Sequence, residues 1–319
     1  MKKIICLALA LILCCSCFAA CGKSKEYPAQ GVELVIPASA GGGSDLMGRL
    51  LVQIIQDNKW CPQIITPVNK AGGGGATGQA YVNSQKNPNY TLFTINDAHT
   101  IASHVSNTRP EGGFTPICMV AKDEVLFVTS AKSPYQTMEE AIEAIKANPK
   151  GLTVGCADQL DKICVFDINA SYGVEFNNVY FDSAGEIATA IMGGHVEFGM
   201  FNPSECAGLV EGGELKALAT FATERCAAPL QDAPTFTELG HPDLVFAMSR
   251  GIMGPAGMSE EATKYWSDIF EKVCAEDAWV KDYVEAKGLT AVFMGYEEYK
   301  EYYLANEAAL VEKAAALGD

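Results

Sequence analysis

Positive charge is in short supply in this 319-residue chain: 23 Lys and Arg stand against 39 Asp and Glu, a formal net charge of −16. Such a surface repels phosphate backbones instead of neutralising them, so no nucleic-acid partner is expected. Histidine is scarcer still. His99, His104, His195 and His241 are the only four, and they are too scattered to form a ligand set, so no metal site is expected. No apolar run after the first twenty residues has the roughly 20 residues that a membrane-crossing helix needs. The G-x-x-x-x-G-K-[ST] phosphate loop and the G-x-S-x-G nucleophile elbow are both missing, and no Ser, His and Asp are visibly arranged as a triad. A G-x-G-x-x-G spacing does occur at Gly73, Gly75 and Gly78, but the only nearby acid for a ribose is Asp97. Nucleotide binding and enzymatic hydrolysis therefore lack their usual signatures, and no cofactor is called for.

The chain starts with Met1-Lys2-Lys3, continues with an unbroken apolar run over 4–13, and reaches small residues before Cys21 in Phe18-Ala19-Ala20-Cys21-Gly22. That layout predicts a bacterial secretion signal over 1–20. Cleavage just before Cys21 resembles the lipobox of bacterial lipoproteins, which makes Cys21 the expected lipidation site and residues 21–30 a polar tether. The protein is expected outside the cytoplasm, held by lipid on the outer face of the cytoplasmic membrane or else periplasmic. Four of the twelve cysteines lie in the signal, and seven remain besides Cys21: Cys61, Cys118, Cys156, Cys164, Cys206, Cys226 and Cys274. Their number is odd and no pair among them has C-x-x-C spacing, so most of them read as buried small apolar residues and not as a disulfide framework.

A composition of 49% hydrophobic and 19% charged residues over this length fits a globular protein of two domains. Apolar stretches at 32–36, 64–68 and 90–95 alternate with helical periodicity at 46–55 and 77–85, a β-α-β-α-β winding that implies a largely parallel sheet. A further apolar run covers 119–130, after which the pattern restarts. Thr137 with Glu140 and Ser183 with Glu186 form capping boxes, and strands are expected at 152–156, 196–201 and 215–221. Two long amphipathic helices, near 260–286 and 296–316, are expected to pack back on the first lobe. The reading is an α/β, two-lobed, periplasmic-binding-protein-like (type II) fold. Residues 31–122 and 247–319 form domain 1 and 123–246 form domain 2, joined by two connecting strands with a ligand cleft between them.

Two glycine loops follow the first two strands: Pro37-Ala38-Ser39-Ala40-Gly41-Gly42-Gly43-Ser44-Asp45 and Asn69-Lys70-Ala71-Gly72-Gly73-Gly74-Gly75-Ala76-Thr77-Gly78. Ser44 is placed as a helix N-cap, with Asp45 in the first turn. Free N–H groups at a helix start, approachable because glycine carries no side chain, make a site for a carboxylate or phosphate. In a doubly wound sheet both loops emerge at the carboxyl ends of the strands, where ligands bind.

These loops, in order with Tyr90 to Leu92 (Y-T-L), Phe114 to Pro116 (F-T-P), Gly193 to Glu197 (G-G-H-V-E), Leu215 to Ala219 (L-K-A-L-A), Ala233 to Gly240 (A-P-T-F-T-E-L-G) and Gly254 to Gly257 (G-P-A-G), resemble the tripartite tricarboxylate transporter receptors, also called Bug-type solute-binding proteins. The resemblance implies capture of a small carboxylate outside the cytoplasm and its delivery to membrane permease subunits. It places the ligand against Ser39, Ala40, Gly43, Ser44 and Asp45 of the first loop and Ala71, Gly73, Gly74 and Thr77 of the second, with the other lobe contributing Cys156, Ala157, Asp158, Asp182 and Ser183. The second-lobe segments depart from the family pattern: Asp158 and Asp182 disfavour a second carboxylate and suit an amino group unless Arg250 offsets them. Arg250, flanked by apolar residues, is expected either to pair with Asp182 or Asp158 or to grip a second acidic group of the ligand. An exported hydrolase or transferase for a small anion, and a ligand-sensing lipoprotein, are the alternatives.

Overall fold

A computed structural model describes residues 26–317. The expected signal, Cys21 and the start of the tether lie outside the described residues. The tether is shorter than expected, because Tyr27 already packs against the first lobe. Its hydroxyl donates to the Asn89 carbonyl at 2.5 Å and accepts from Trp266 Nε1 at 2.6 Å, and Pro28 is buried beside it.

Strand β1 (Val32–Ile36) has four of its five residues buried, as expected for a strand covered by helices on both faces. It pairs in parallel with β2 (Ile65–Asn69) and β3 (Thr91–Asn96). Each hands over to a helix: α1 (Gly43–Asp57), α2 (Ala76–Asn83) and α3 (Asp97–Val105). The chain then enters β4 (Thr115–Glu124) and, after Val125 alone, β5 (Leu126–Ser130). The expected single run over 119–130 is thus two strands in two sheets, and the break at Val125 is the first crossover between lobes. Next come α4 (Met138–Ala147), β6 (Thr153–Cys156), α5 (Gln159–Tyr172), β7 (Asn177–Tyr180), α6 (Ala184–Met192), β8 (Phe198–Phe201), α7 (Pro203–Glu211) and β9 (Leu215–Thr220). The return crossover runs beside the first: Phe221 N donates to the Val125 carbonyl and Phe246 N to that of Phe221, each at 2.9 Å. Strand β10 (Ala247–Gly254), α8 (Glu260–Cys274), β11 (Thr290–Met294) and α9 (Tyr296–Leu317) complete the chain.

The result is a six-stranded sheet in the order β11-β4-β10-β3-β1-β2 and a five-stranded sheet in the order β7-β6-β8-β5-β9. Both are mixed. Strands β6, β7 and β8 are parallel in the second sheet as β1, β2 and β3 are in the first, and the other strands run antiparallel to their neighbours. Separate apolar clusters fill the lobes, one around Trp266, Phe270 and Trp279, another around Phe127, Phe198 and Phe236. All seven cysteines in the described residues are free thiols, five of them buried.

Two departures from expectation concern the C-terminal third. The helix expected over 260–286 stops at Cys274, and residues 277–287 form short α, π and 3-10 helical turns that sink Trp279 and Tyr283 into the core before Gly288, at φ +70°, releases the chain into β11. Helix α9 does not pack on the first lobe alone. Its Glu307, 6% exposed, accepts Arg109 Nε and Nη2 at 2.7 and 2.8 Å and the Tyr303 hydroxyl at 3.0 Å. One turn on, Leu310 joins Ile101 and Met248 of the first lobe to Leu160 and Ile163 of α5, and Lys313 Nζ reaches Asp167 of α5 at 2.5 Å.

Burial raises the pKa of Glu307, but hydrogen bonds from Arg109, His104 and Tyr303 outweigh it and hold the carboxyl below its ordinary value. A depressed carboxylate stabilises the fold above its unfolded pKa and loses that contribution as pH falls through the folded one. Glu307→Gln should therefore cost about 2 kcal/mol at neutral pH. Urea midpoints of the two proteins should converge on acidification, and a constant gap would show that the charge is not the stabilising feature.

Candidate ligand-binding cleft

Each of the six parallel strands ends at the gap between the lobes and is followed by a helix that begins there. The gap is divided into two adjoining chambers of about 710 and 530 Å³ that share Ala38, Asn96, His99 and Asp158. Ser39, Ala71, Gly72, Gly73, Gly74 and Gly75 line the larger one with Ala157, Gln159, Lys162 and Tyr180. Gly41, Gly42, Gly43, Ser44, Arg250 and Lys287 face Ser183, Asn202, Ser204 and Glu205 across the smaller.

The helix starts differ between the lobes in what occupies their amides. In the first lobe the caps of α1 and α2 are Gly42 and Gly75, which have no side chain to offer. Ser44 is therefore not the N-cap expected from sequence; it lies one residue inside the helix. Among the described residues the N–H groups of Gly43, Ser44, Gly73 and Gly74 donate to no acceptor. In the second lobe the chain supplies its own anions. Asp158 accepts the amides of Leu160 and Asp161 at 2.8 and 3.0 Å, Asp161 takes that of Ala157, Glu186 that of Asp182, and Glu205 that of Asn202. A ligand anion thus finds open amides on both walls, but those of the second lobe, at Ala184, Gly185 and Ser204, belong to helix starts that carry the carboxylates of Glu186 and Glu205, whereas Gly43 and Ser44 stand beside Arg250.

Asp45 organises the first loop without reaching the cleft. Burial alone would raise its pKa, but donors from Gly41 N (2.9 Å), Asn69 Nδ2 (2.8 Å) and Arg49 Nε (2.8 Å) hold it below the ordinary carboxylate value. Ala40 and Thr77 also stay off the chamber walls, and Thr77 turns back toward Gly72. Cys156 is fully buried in the second-lobe core, where desolvation raises its thiol pKa, and Asp182 is an exposed residue that only leads into α6. Neither lines the cleft.

Arg250 pairs with neither Asp182 nor Asp158. Its Nε donates to Asp123 Oδ2 at 2.8 Å, and Nη2 bonds the same oxygen. Asp123 is fully buried and its other oxygen has no partner. Arg250 stands beside the first glycine loop, with its guanidinium nitrogens 3.4 and 3.5 Å from where a Gly43 Cβ would be. Nη1 has no partner among the described residues, so it adds a charged donor to the amides of Gly43 and Ser44.

His99, one of four scattered histidines with no ligand set expected of them, is among the residues shared by the two chambers. It is 7% exposed, packed so closely on Gly75 that a Cβ there would lie 2.6 Å from the ring, and its Nδ1 lacks a partner. Burial and the neighbouring Arg250 push its pKa down to about 4, so the ring is neutral. Asn96, whose side chain caps α3 at 2.8 Å, and Glu205 were missed as well. The pattern Asn202-Pro203-Ser204-Glu205 is a legible helix start, with Pro at the first position and Glu at the third.

A family model described as the tripartite tricarboxylate transporter family receptor matches residues 53–313. The chain belongs to that family. Among sequence relatives of this receptor are a UPF0065 protein from the gbd 5′ region of Cupriavidus necator, 26% identical and covering 91% of this chain and 89% of the relative, and protein BugT of Bordetella pertussis, 24% identical over 73% of each. Similar solved structures include R. palustris Rpa4515 with adipate (TM-score 0.78, 19% identity, 91% of this chain and 99% of that one). Another is a ligand-free TctC solute-binding protein from Polaromonas (0.74, 24% identity, 91% and 99%). This tripartite tricarboxylate transporter receptor is thus a solute-binding protein of the two-lobed type.

Two tests address the cleft. Gly43→Val places its methyls before Arg250 in an ordinary helical conformation, so it should abolish anion binding with little change in melting temperature, whereas Ser44→Ala should cost about 1 kcal/mol of binding through its hydroxyl. Calorimetry would decide, and unchanged affinity in the valine variant would place the anion elsewhere. A histidine whose pKa is lowered on folding disfavours the fold where only the unfolded chain is protonated. The stability of wild type relative to His99→Gln should rise between pH 4 and 6.5, by up to about 1.4 kcal/mol per unit. A flat difference would mean that the ring is charged in the fold.

Proposed function

We propose that this receptor captures a small carboxylate against the first-lobe wall of the cleft and delivers it to the multi-span membrane subunits of a tripartite tricarboxylate-type transporter. It does so from the outer face of the cytoplasmic membrane, where a lipid on Cys21 would hold it. The observation that carries this reading is the set of unclaimed donors at one wall: the amides of Gly43, Ser44, Gly73 and Gly74, with Nη1 of Arg250. Hydrogen bonds to a charged acceptor contribute about 1.5–3 kcal/mol each, so a few of them exceed the cost of immobilising a small ligand. Solved relatives named with bound adipate and malate support a carboxylate as the ligand class. Binding needs no covalent step, and closure of the lobes would exclude water and strengthen the contacts.

Butyrate should raise the melting temperature of the mature chain while butyramide of the same shape should not, since binding to the native state alone stabilises it. An equal shift from the amide would sink the carboxylate reading. Cys21→Ser should move the protein from the membrane to the soluble extracytoplasmic fraction; persistence in the membrane would remove the lipid anchor from the account.

A further inference from the structure

The smaller chamber has cations on one side only. Arg250 and Lys287 come from the first lobe, while the second-lobe wall opposite carries the carboxylates of Asp158 and Glu205 and no cation. Lys162, one turn on from Asp158 and partly offsetting its charge, lines the larger chamber, which Asp158 also borders, and sits 4.2 Å above the Tyr180 ring. Each acid is already the acceptor for its own helix start, yet neither is neutralised by a salt bridge. Both keep solvent access from the cleft while crowded by protein, and this crowding pushes the Glu205 carboxyl up to about 7 and raises that of Asp158. Carboxylates in that condition gain from an ammonium group and lose from another acid. Independent of the acids, the same chamber contains His99, buried and with Nδ1 unpartnered, and Arg250, 6% exposed with its Nη1 edge open. Polar groups so deeply enclosed ordinarily have partners.

Building on the carboxylate-receptor reading, we infer that the ligand is a zwitterion, a carboxylate that also bears an ammonium group, with the acid on the Gly43, Ser44 and Arg250 side and the ammonium on the Asp158 and Glu205 side. A second carboxylate at that end would meet two like charges with no cation of the same wall in the chamber to offset them.

The test compares four-carbon probes by calorimetry at pH 8: butyrate, succinate, 2-aminobutyrate and 4-aminobutyrate. At least one aminobutyrate should bind tenfold or more tighter than succinate. Asp158→Asn and Glu205→Gln retain the oxygens that cap their helices, and each should weaken the aminobutyrate about tenfold relative to butyrate. Tighter binding of succinate than of both amino acids would overturn the inference and leave the carboxylate reading standing, as would equal loss of butyrate and aminobutyrate in both variants. Failure of all four probes to bind would defeat both readings.

Discussion

Backbone amides at the start of a helix need acceptors, and the arrangement of this molecule gathers six such starts around one gap. The cause is topological: each lobe contains three parallel strands followed by helices, and every one of those strands points its carboxyl end at the other lobe. What the six starts do is then set by single side chains. Glycine caps at two of the first-lobe starts leave donors open with no acid against them, whereas Asp158, Asp161, Glu186 and Glu205 put carboxylates at the starts of the second. A chain of net charge −16 thereby presents an anion-accepting wall without a basic patch. The field that matters is local, made of oriented amides and one guanidinium.

The Arg250–Asp123 pair keeps that guanidinium in place. Taking either charge out of water alone would cost several kcal/mol, and the pair is tolerable because it is mutual and hydrogen-bonded. It also leaves Arg250 with one open edge toward the cleft, so the ion pair orients a binding group without consuming it. His99 depends on the same neighbour: a buried ring beside a fixed positive charge stays neutral, which keeps a titrating cation out of the chamber at physiological pH.

Helix α9 adds a constraint that a simple pair of lobes on two crossovers would lack. It is fastened to the first lobe through Glu307 and Arg109, and its last turns lie on α5 of the second through Leu310 and Lys313. Any opening of the cleft about the crossovers at Val125 and 221–246 must slide or part this contact. The surface involved is a small apolar cluster and one partly exposed ion pair, a modest barrier compared with either core.

Much of this was legible along the chain. Glycine runs after apolar strands announced the two loops, because approach of a ligand to backbone demands residues without side chains, and the alternation of strand and helix announced the α/β lobes. Asp45 was legible as a first-turn residue, although its service to Gly41, Asn69 and Arg49 was not. Partners across the fold were beyond reach of sequence. Arg250 and Asp123 meet because β10 and β4 pair Arg250 with Ala121 and Met248 with Asp123, making the two charges diagonal neighbours on one face. A register shifted by one residue would have put them on opposite faces. Likewise His99 became a cleft residue only through its packing on Gly75, and Cys156 a core residue only through the helices that cover its strand. Local chemistry along the chain determined which backbone could bind an anion, and the pairing of distant strands decided which charges would stand beside it.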